Sequence, residues 1–238
     1  MNWVLSNLDT IWDDTVAHLA VAVPPIIISF LLSIPIGWLV VRLRRPGASR
    51  VSSGLGGAVV TVAGLLYAVP SLPLFIALPG IIGTGLQDPV NVVVGLTLYG
   101  LALMVRSTVD GLGSVDAATT SAATAMGYSG AQRFFRVDLP LAGPVLLAGL
   151  RVVAVSTISL TTVGAVLGIQ SLGSLFTDGI GRNIPEEIVS GIVTVLVLAI
   201  VIDGLLVLLG RAVMPWTRKD TTAKRRARRV LQAAEATS

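Results

Sequence analysis

Two charged residues lie inside segments of the sequence that are otherwise apolar. Arg151 falls within residues 141–169 and Asp203 within residues 188–210, and both segments are long enough to cross a bilayer as helices. At a rise of 1.5 Å per residue, each charge lies about 12–15 Å from the end of its segment. A charge at that depth is costly, so it pairs or faces water. We expect an ion pair between the two helices; a role in gating or in a solute path and independent solvation are the alternatives.

A second group of unusual residues lies within the uncharged segment 51–86. Tyr67 is followed by Pro70, Ser71 and Pro73. This run is expected to interrupt a helix, because proline removes a backbone donor and clashes with the preceding turn. Inside a membrane, the carbonyl groups that the interruption frees need a cavity or a protein partner. The four residues therefore either line a path through the membrane or form a structural kink.

A long polar stretch, residues 107–144, separates two of the apolar segments. Residues 116–126 are rich in alanine and compatible with a helix, and Gly127 can end that helix in a left-handed conformation. Residues 131–137 can form a second short helix, which we expect Pro140 to stop. The stretch therefore predicts a helical hairpin at the membrane surface.

Small and aromatic side chains make this hairpin suitable for contact with another protein. Its alanines allow a second surface to approach closely, and Phe134 and Phe135 offer apolar surface for burial in a partner's groove. An ordinary amphipathic helix on the membrane surface is the alternative. Part of the stretch follows the pattern x-Ala-Ala-x3-Gly-x9-Val-x-Leu-Pro. We call the residues at its defined positions the spaced residues: Ser121, Ala122, Ala123, Gly127, Val137, Leu139 and Pro140.

Composition excludes several classes of protein and site. Of the 238 residues, 53% are hydrophobic and 13% are charged, and the mean hydropathy of +0.85 indicates a polytopic membrane protein. Without cysteine there is no disulfide, thiol catalysis or thiolate metal site, and His18, the single histidine, cannot form a metal site alone. The motifs Gly-x-Ser-x-Gly and His-Glu-x2-His are absent from the sequence, which disfavours an intramembrane enzyme. A stand-alone channel or membrane scaffold is a further alternative.

The spaced pattern resembles the cytoplasmic loop by which permeases of the ATP-binding-cassette (ABC) importer family bind their ATPase. That family's motif is Glu-Ala-Ala-x3-Gly-x9-Ile-x-Leu-Pro. Ser121 stands where the motif has glutamate, so any charge pair of that glutamate is not expected here. The resemblance implies that the coupling loop contacts the ATPase through the spaced residues and through Phe134 and Phe135.

The resemblance also implies partners. Permeases of this family work in pairs, so a second permease chain, identical or a sister, is expected, together with a cytoplasmic ABC ATPase dimer and an extracytoplasmic solute-binding protein. The chain has no Gly-x4-Gly-Lys-Ser/Thr phosphate loop, and its lysines occur only at 219 and 224. It is therefore expected to be a transport subunit rather than an enzyme and to hold no cofactor, with ATP and Mg bound by the partner ATPase. No nucleic acid partner is expected.

Further segments are similar to one subfamily, the osmoprotectant permeases for glycine betaine, carnitine, choline or proline. These segments are 15–37, 67–74, 139–151 and 168–173. If the interrupted helix at Tyr67, Pro70, Ser71 and Pro73 lines the translocation path, the ring of Tyr67 can face a quaternary ammonium group. A permease for an amino acid such as methionine is the alternative, because amino-acid importers share the five-span plan.

The spans and their orientation follow from the apolar segments and the basic residues. The spans are expected at 19–41, 51–86, 90–105, 141–169 and 188–210. Arginines and lysines concentrate after the first and third spans and in the tail. In a bacterial cytoplasmic membrane, the positive-inside rule therefore places the N-terminus on the outer side and the C-terminus on the cytoplasmic side. The sequence thus predicts an all-α polytopic membrane protein with five transmembrane helices and a cytoplasmic helical coupling loop between the third and fourth.

We divide the chain into three parts. Residues 1–14 form an extracytoplasmic N-terminal segment, residues 15–212 form the permease transmembrane domain with the coupling loop at 107–139, and residues 213–238 form a basic cytoplasmic tail. The tail is strongly basic, and it has two interpretations. It either contacts anionic lipid as a regulatory sensor of ionic strength or is a solvated orientation signal.

Overall fold

A computed structural model describes residues 2–45 and 47–217. Every regular element within these residues is helical. The helices are α1 (Asn2–Ser6), α2 (Leu8–Leu43), α3 (Arg50–Tyr67), α4 (Ser71–Ile82), α5 (Pro89–Gly113), α6 (Ala117–Ala125), α7 (Gly130–Arg133), α8 (Leu139–Thr161), α9 (Ser174–Gly181) and α10 (Pro185–Val213). A π-helical turn, Phe134–Asp138, joins α7 to α8, and 3₁₀ turns cover Thr162–Leu167 and Pro215–Thr217.

Five helical segments within the described residues are long and apolar enough to span a membrane. They are α2, α3, α5, the continuous helix from Gly130 to Leu167, and α10. This confirms the predicted all-α architecture with five spans. The shorter apolar helix α4 follows α3 after a break, as the proline run predicts.

The centre of the bundle is α5, which packs against α2, α3 and α8. Small residues make the contact with α2 close. Gly37 faces Thr108, whose hydroxyl lies 3.1 Å from the Ser33 hydroxyl. Gly100 faces Ser29 in the same interface. Both helices thus meet through glycine, serine and threonine, which let their backbones approach as membrane helices commonly do.

Two helices extend beyond the segments that are predicted to cross the membrane, for the same physical reason. The helix α2 begins at Leu8 and continues through three prolines to Leu43, beyond the predicted span 19–41. The helix α5 continues to Gly113, so the first residues of the polar stretch 107–144 belong to the same helix as the third span. Neighbouring helices bury some of the polar groups at these ends, such as Asp14 and Thr108, and this packing outweighs the local polarity of the sequence.

Polar contacts connect the end of the bundle opposite α6. The Gln170 amide donates to the Asp14 carboxylate over 3.1 Å, and Asp14 is buried at the side of α2. Arg182, after α9, donates to Glu187 over 2.5 Å. These bonds attach the segment between α8 and α10 to the rest of the bundle. The basic tail predicted at 213–238 lies almost wholly outside the described residues.

Candidate functional site

The predicted hairpin is formed by α6 and α7. The Asp116 carboxylate accepts a hydrogen bond from the Ala118 amide over 3.1 Å and caps α6. Gly127 adopts a φ of 86°, the left-handed conformation expected after a helix. Ser129 and Gln132 then form a reciprocal capping box at the start of α7. The first helix and the turn are where the sequence predicts them, because caps and glycine act locally.

The second half of the hairpin differs from the prediction. Pro140 does not stop the helix; instead the chain continues from α7 through the π-helical turn into α8. In this turn the Leu139 amide donates to the Phe134 carbonyl, five residues earlier. The wider turn accommodates the proline, which lacks an amide hydrogen and would clash with the carbonyl group four residues before it. The hairpin is therefore continuous with the fourth span.

An arginine that the sequence analysis did not single out fixes the shape of the hairpin. The Nε of Arg133 lies 3.3 Å from the Asp138 carboxylate in the π-helical turn. Its Nη1 donates to the Thr124 hydroxyl of α6, also over 3.3 Å. One side chain thus connects both helices of the hairpin to the start of α8. In the sequence, Arg133 and Asp138 are opposite charges five residues apart. This spacing does not by itself predict an ion pair on a helix, where residues three and four apart are neighbours.

The two neighbouring phenylalanines have different surroundings. Phe134 is 9% exposed and packs edge-on against Trp38 of α2, with ring centroids 6.2 Å apart. It is therefore buried in this chain's own core and is not available to a partner. Phe135 is 66% exposed, and Met126 in the turn is 71% exposed. These two residues supply the exposed apolar surface of the hairpin.

The spaced residues divide in the same way. Ser121 and Ala122 are exposed on α6, whereas Ala123 is buried, and Gly127 is exposed in the turn. Val137, Leu139 and Pro140 are half-buried where the hairpin joins α8. Small residues thus leave one face of α6 open to close approach, and the apolar end of the pattern anchors the hairpin to the bundle.

The helix break before α4 has a polar partner within the chain. The Tyr99 hydroxyl of α5 donates to the Val69 carbonyl over 2.5 Å, which satisfies a group that the break frees. Tyr67 packs edge-on against Tyr99, with centroids 5.9 Å apart, and is 45% exposed. Pro70 and Pro73 are exposed and Ser71 is half-buried. The break is therefore structurally supported and still presents the predicted residues at the surface of the isolated chain.

Arg151 and Asp203 meet as predicted. Nε of Arg151 lies 2.6 Å from Oδ1 of Asp203, and Nη2 lies 2.7 Å from Oδ2. The pair joins α8 to α10, and its side chains are 42% and 29% exposed in the isolated chain.

His18, by contrast, is fully buried, and its Nε2 lies 3.0 Å from the Ile158 carbonyl. His18 is therefore a buried polar group at the contact between α2 and α8 rather than a metal ligand.

Residues 12–215 match the family described as the binding-protein-dependent transport system inner membrane component. The chain belongs to this family. As a family member it is a multi-pass inner-membrane transport subunit of a bacterial ABC importer, and it is not itself the catalytic component.

Curated relatives cover most of the chain. The chain is 30% identical to the glycine betaine/carnitine/choline transport system permease protein OpuCD of Bacillus subtilis, over 85% of this chain and 83% of the relative. It is 30% identical to the osmoprotectant import permease protein OsmW of Salmonella typhimurium, over 87% of this chain and 93% of the relative. A choline transport system permease protein of Bacillus subtilis, OpuBB, is 28% identical over 84% of this chain and 87% of the relative.

The fold is similar to that of solved permeases. A chain of the MetNI methionine ABC transporter, solved in inward facing conformations, superposes with a TM-score of 0.68 at 25% identity, covering 91% of this chain and 97% of that one. The superposition covers most of both chains, so the two proteins share their fold.

Proposed function

We propose that this chain forms the translocation path of an ATP-driven importer for osmoprotectants such as glycine betaine, choline, carnitine or proline. The observation that carries the proposal is the helical hairpin between the third and fourth spans, with its spaced residues, in a chain of this family. Relatives named for glycine betaine, carnitine and choline transport support the substrate class.

The hairpin is the proposed contact with the ATPase. Its exposed surface combines small residues on α6 with two apolar side chains, Met126 and Phe135. A helix of this kind fits an apolar groove in a partner. Because the helix continues from α7 into α8, displacement of the hairpin is transmitted directly to the fourth span. ATP and Mg are bound by a cytoplasmic ATPase dimer, one subunit for each of two permease chains, identical or sister.

The orientation of the chain is part of this proposal. The N-terminus lies outside, and the C-terminus and hairpin lie on the cytoplasmic side, where an ATPase is available. The distribution of arginines supports it: the connection after α2 and the hairpin are rich in arginine, whereas Arg182 stands beside acidic residues at the opposite end. The solute-binding protein meets that opposite end.

The helix break is the proposed wall of the path. Tyr67, Pro70, Ser71 and Pro73 lie at the point where α3 gives way to α4, which is where discontinuous helices of transporters place their binding groups. The exposed ring of Tyr67 offers a π face to a quaternary ammonium group.

Uptake and partner identification test the proposal together. Membranes containing the chain should yield a co-purifying ATPase, and cells that lack the chain should lose uptake of radiolabelled glycine betaine or choline. A permease for methionine is the second candidate, because the MetNI chain has a similar fold. Loss of methionine uptake with betaine uptake intact would favour this second candidate. Absence of any co-purifying ATPase would argue against both.

A further inference from the structure

Trp38 brings the first span into contact with the hairpin. Its ring packs edge-on against Phe134 in the π-helical turn, with centroids 6.2 Å apart and an angle of 70° between the ring planes. Phe134 in turn packs edge-on against Phe135, with centroids 5.0 Å apart. A continuous series of aromatic rings therefore extends from α2 to the exposed apolar surface of the hairpin.

Further contacts hold the Trp38 ring in place. The guanidinium carbon of Arg42, one turn later on α2, lies 5.3 Å from the centre of the ring, in cation–π geometry. Trp38 also packs against the apolar cluster in which Phe134 is buried, together with Leu112 of α5 and Leu146 of α8. Because protein interiors are close-packed, displacement of one ring in such a cluster displaces the ring beside it.

The chain itself joins the hairpin to two of the spans. α5 leads into α6, and the π-helical turn leads into α8, so a displaced hairpin acts directly on the third and fourth spans. α2 is separated from the hairpin in the chain by α3, α4 and α5. The contact between Trp38 and Phe134 therefore adds the first span to the elements on which the hairpin acts.

A proline precedes Trp38 within α2. Pro35 lies inside this helix, about one turn before Trp38. Proline has no amide hydrogen, so the carbonyl group of Leu31 loses its helical donor, and helices bend most readily at such positions. A push on Trp38 is therefore expected to move residues 36–43 relative to the preceding part of α2.

We propose that Trp38 is a positioning residue that passes displacement of the hairpin to the end of α2 during transport. This inference rests on the proposed function, in which an ATPase moves the hairpin. Arg42 keeps the Trp38 ring in place, and Phe134 is the side chain through which Trp38 acts. Without the ring, movement of the hairpin reaches the third and fourth spans but not the first, so ATP hydrolysis continues with little transport.

The ratio of uptake to ATP hydrolysis tests this role. The complete importer is reconstituted in liposomes, and the radiolabelled glycine betaine taken up is measured per ATP hydrolysed. W38L keeps an apolar side chain and should bind the ATPase normally, yet it should transport several-fold less solute per ATP than the wild type. W38F keeps a ring beside Phe134 and should restore most of the ratio. A merely structural role would lower uptake and hydrolysis together and leave their ratio unchanged.

The same contact can be broken from the hairpin. F134L should lower the ratio as W38L does, and it tests the proposal even where W38L folds poorly. The double variant W38L/F134L should have a ratio no lower than that of the worse single variant, because both changes remove one contact. Multiplied losses in the double variant would show that the two residues act separately and would overturn the proposal.

Leu39 provides the matched control on α2. It follows Trp38, is 48% exposed and is not among the residues described as packing against the cluster around Phe134, so L39A should keep the wild-type ratio. A wild-type ratio in both W38L and F134L, or loss of ATPase binding in W38L, would overturn the role of Trp38. A wild-type complex that hydrolyses ATP without taking up glycine betaine would instead count against the proposed function.

Discussion

Arg151 and Asp203 join α8 to α10 through two parallel hydrogen bonds of 2.6 and 2.7 Å in the membrane-spanning part of the bundle. The planar guanidinium matches the carboxylate at both oxygens, a geometry that a lysine cannot reproduce. No other described contact between these two helices involves opposite charges. The pair therefore links α10 to the fourth span, beside apolar contacts such as that of Gly210 with Leu147.

Removal of both charges should be less harmful than removal of one. Asp203→Ala leaves Arg151 without its carboxylate, and Arg151→Ala leaves Asp203 without its guanidinium, so each single variant should lower thermal stability and uptake. The double variant R151A/D203A should be no less stable than the worse single variant. Thermal unfolding of the purified complex measures this cycle; strictly additive losses would show that the two residues do not interact. R151K should retain only part of the wild-type stability.

The two neighbouring phenylalanines should separate folding from ATPase binding. Phe134→Ala removes a buried ring beside Trp38 and should destabilise the chain by about 3–5 kcal/mol. Phe135→Ala should leave stability unchanged and weaken ATPase binding about tenfold, or about 1.4 kcal/mol, because this side chain is exposed on the hairpin. Unfolding curves and ATPase titration provide the two measurements. Wild-type ATPase affinity in F135A would remove this residue from the proposed contact.

The hydroxyl of Tyr99 should support the helix break. Tyr99→Phe keeps the ring contacts with Tyr67 and Phe75 but leaves the Val69 carbonyl without its donor. The cost should be about 1–3 kcal/mol of stability, with a loss of uptake if the break lines the path. Tyr67→Phe is the matched control, since no hydrogen bond of its hydroxyl occurs among the described contacts. A wild-type unfolding temperature for Y99F would show that the carbonyl finds another partner.

Close packing of α2 on α5 should depend on Gly37. A Cβ at this position would lie 2.5 Å from Thr108 Cγ2, so Gly37→Leu should separate the helices and cost about 1–3 kcal/mol. Gly64 of α3 has open space around it, and Gly64→Leu should leave thermal stability unchanged. Melting of both variants in the same detergent makes the comparison, and equal melting temperatures would contradict the packing argument.

Cysteine labelling should reveal the orientation of the chain. The sequence has no cysteine, so single reporters at Ser6, Thr177 and Ser121 can be introduced without a background signal. An impermeant thiol reagent added outside intact cells should label the first two, at the end of the bundle where α1 and α9 lie, and should label Ser121→Cys only after the membrane is permeabilised. The reverse pattern would invert the proposed topology and remove the hairpin from the ATPase.

Local signals in the sequence predicted much of this architecture. Long apolar segments predicted the five spans, and the proline run predicted the break before α4. The alanine-rich residues 116–126 with Gly127 predicted the first half of the hairpin. The prediction that Arg151 and Asp203 pair is confirmed, since two charges at similar depth in adjacent spans have few other stable arrangements.

Other features were decided only by tertiary structure. Residues 107–113 are as polar as a loop, yet α2 surrounds Thr108 and draws them into α5. Phe134 and Phe135 are identical in type and adjacent, and only the position of Trp38 determines which one is buried. Pro140 predicted the end of a helix, and the π-helical turn before it permits the helix to continue.

The sequence by itself therefore determined which segments cross the membrane and where helices start and turn, because hydrophobic length, caps and glycine act within a few residues. The tertiary structure decided which side chains of those helices remain exposed and how the hairpin joins the fourth span. These depend on contacts between residues far apart in the chain, and no local pattern in the sequence specifies which helices come together.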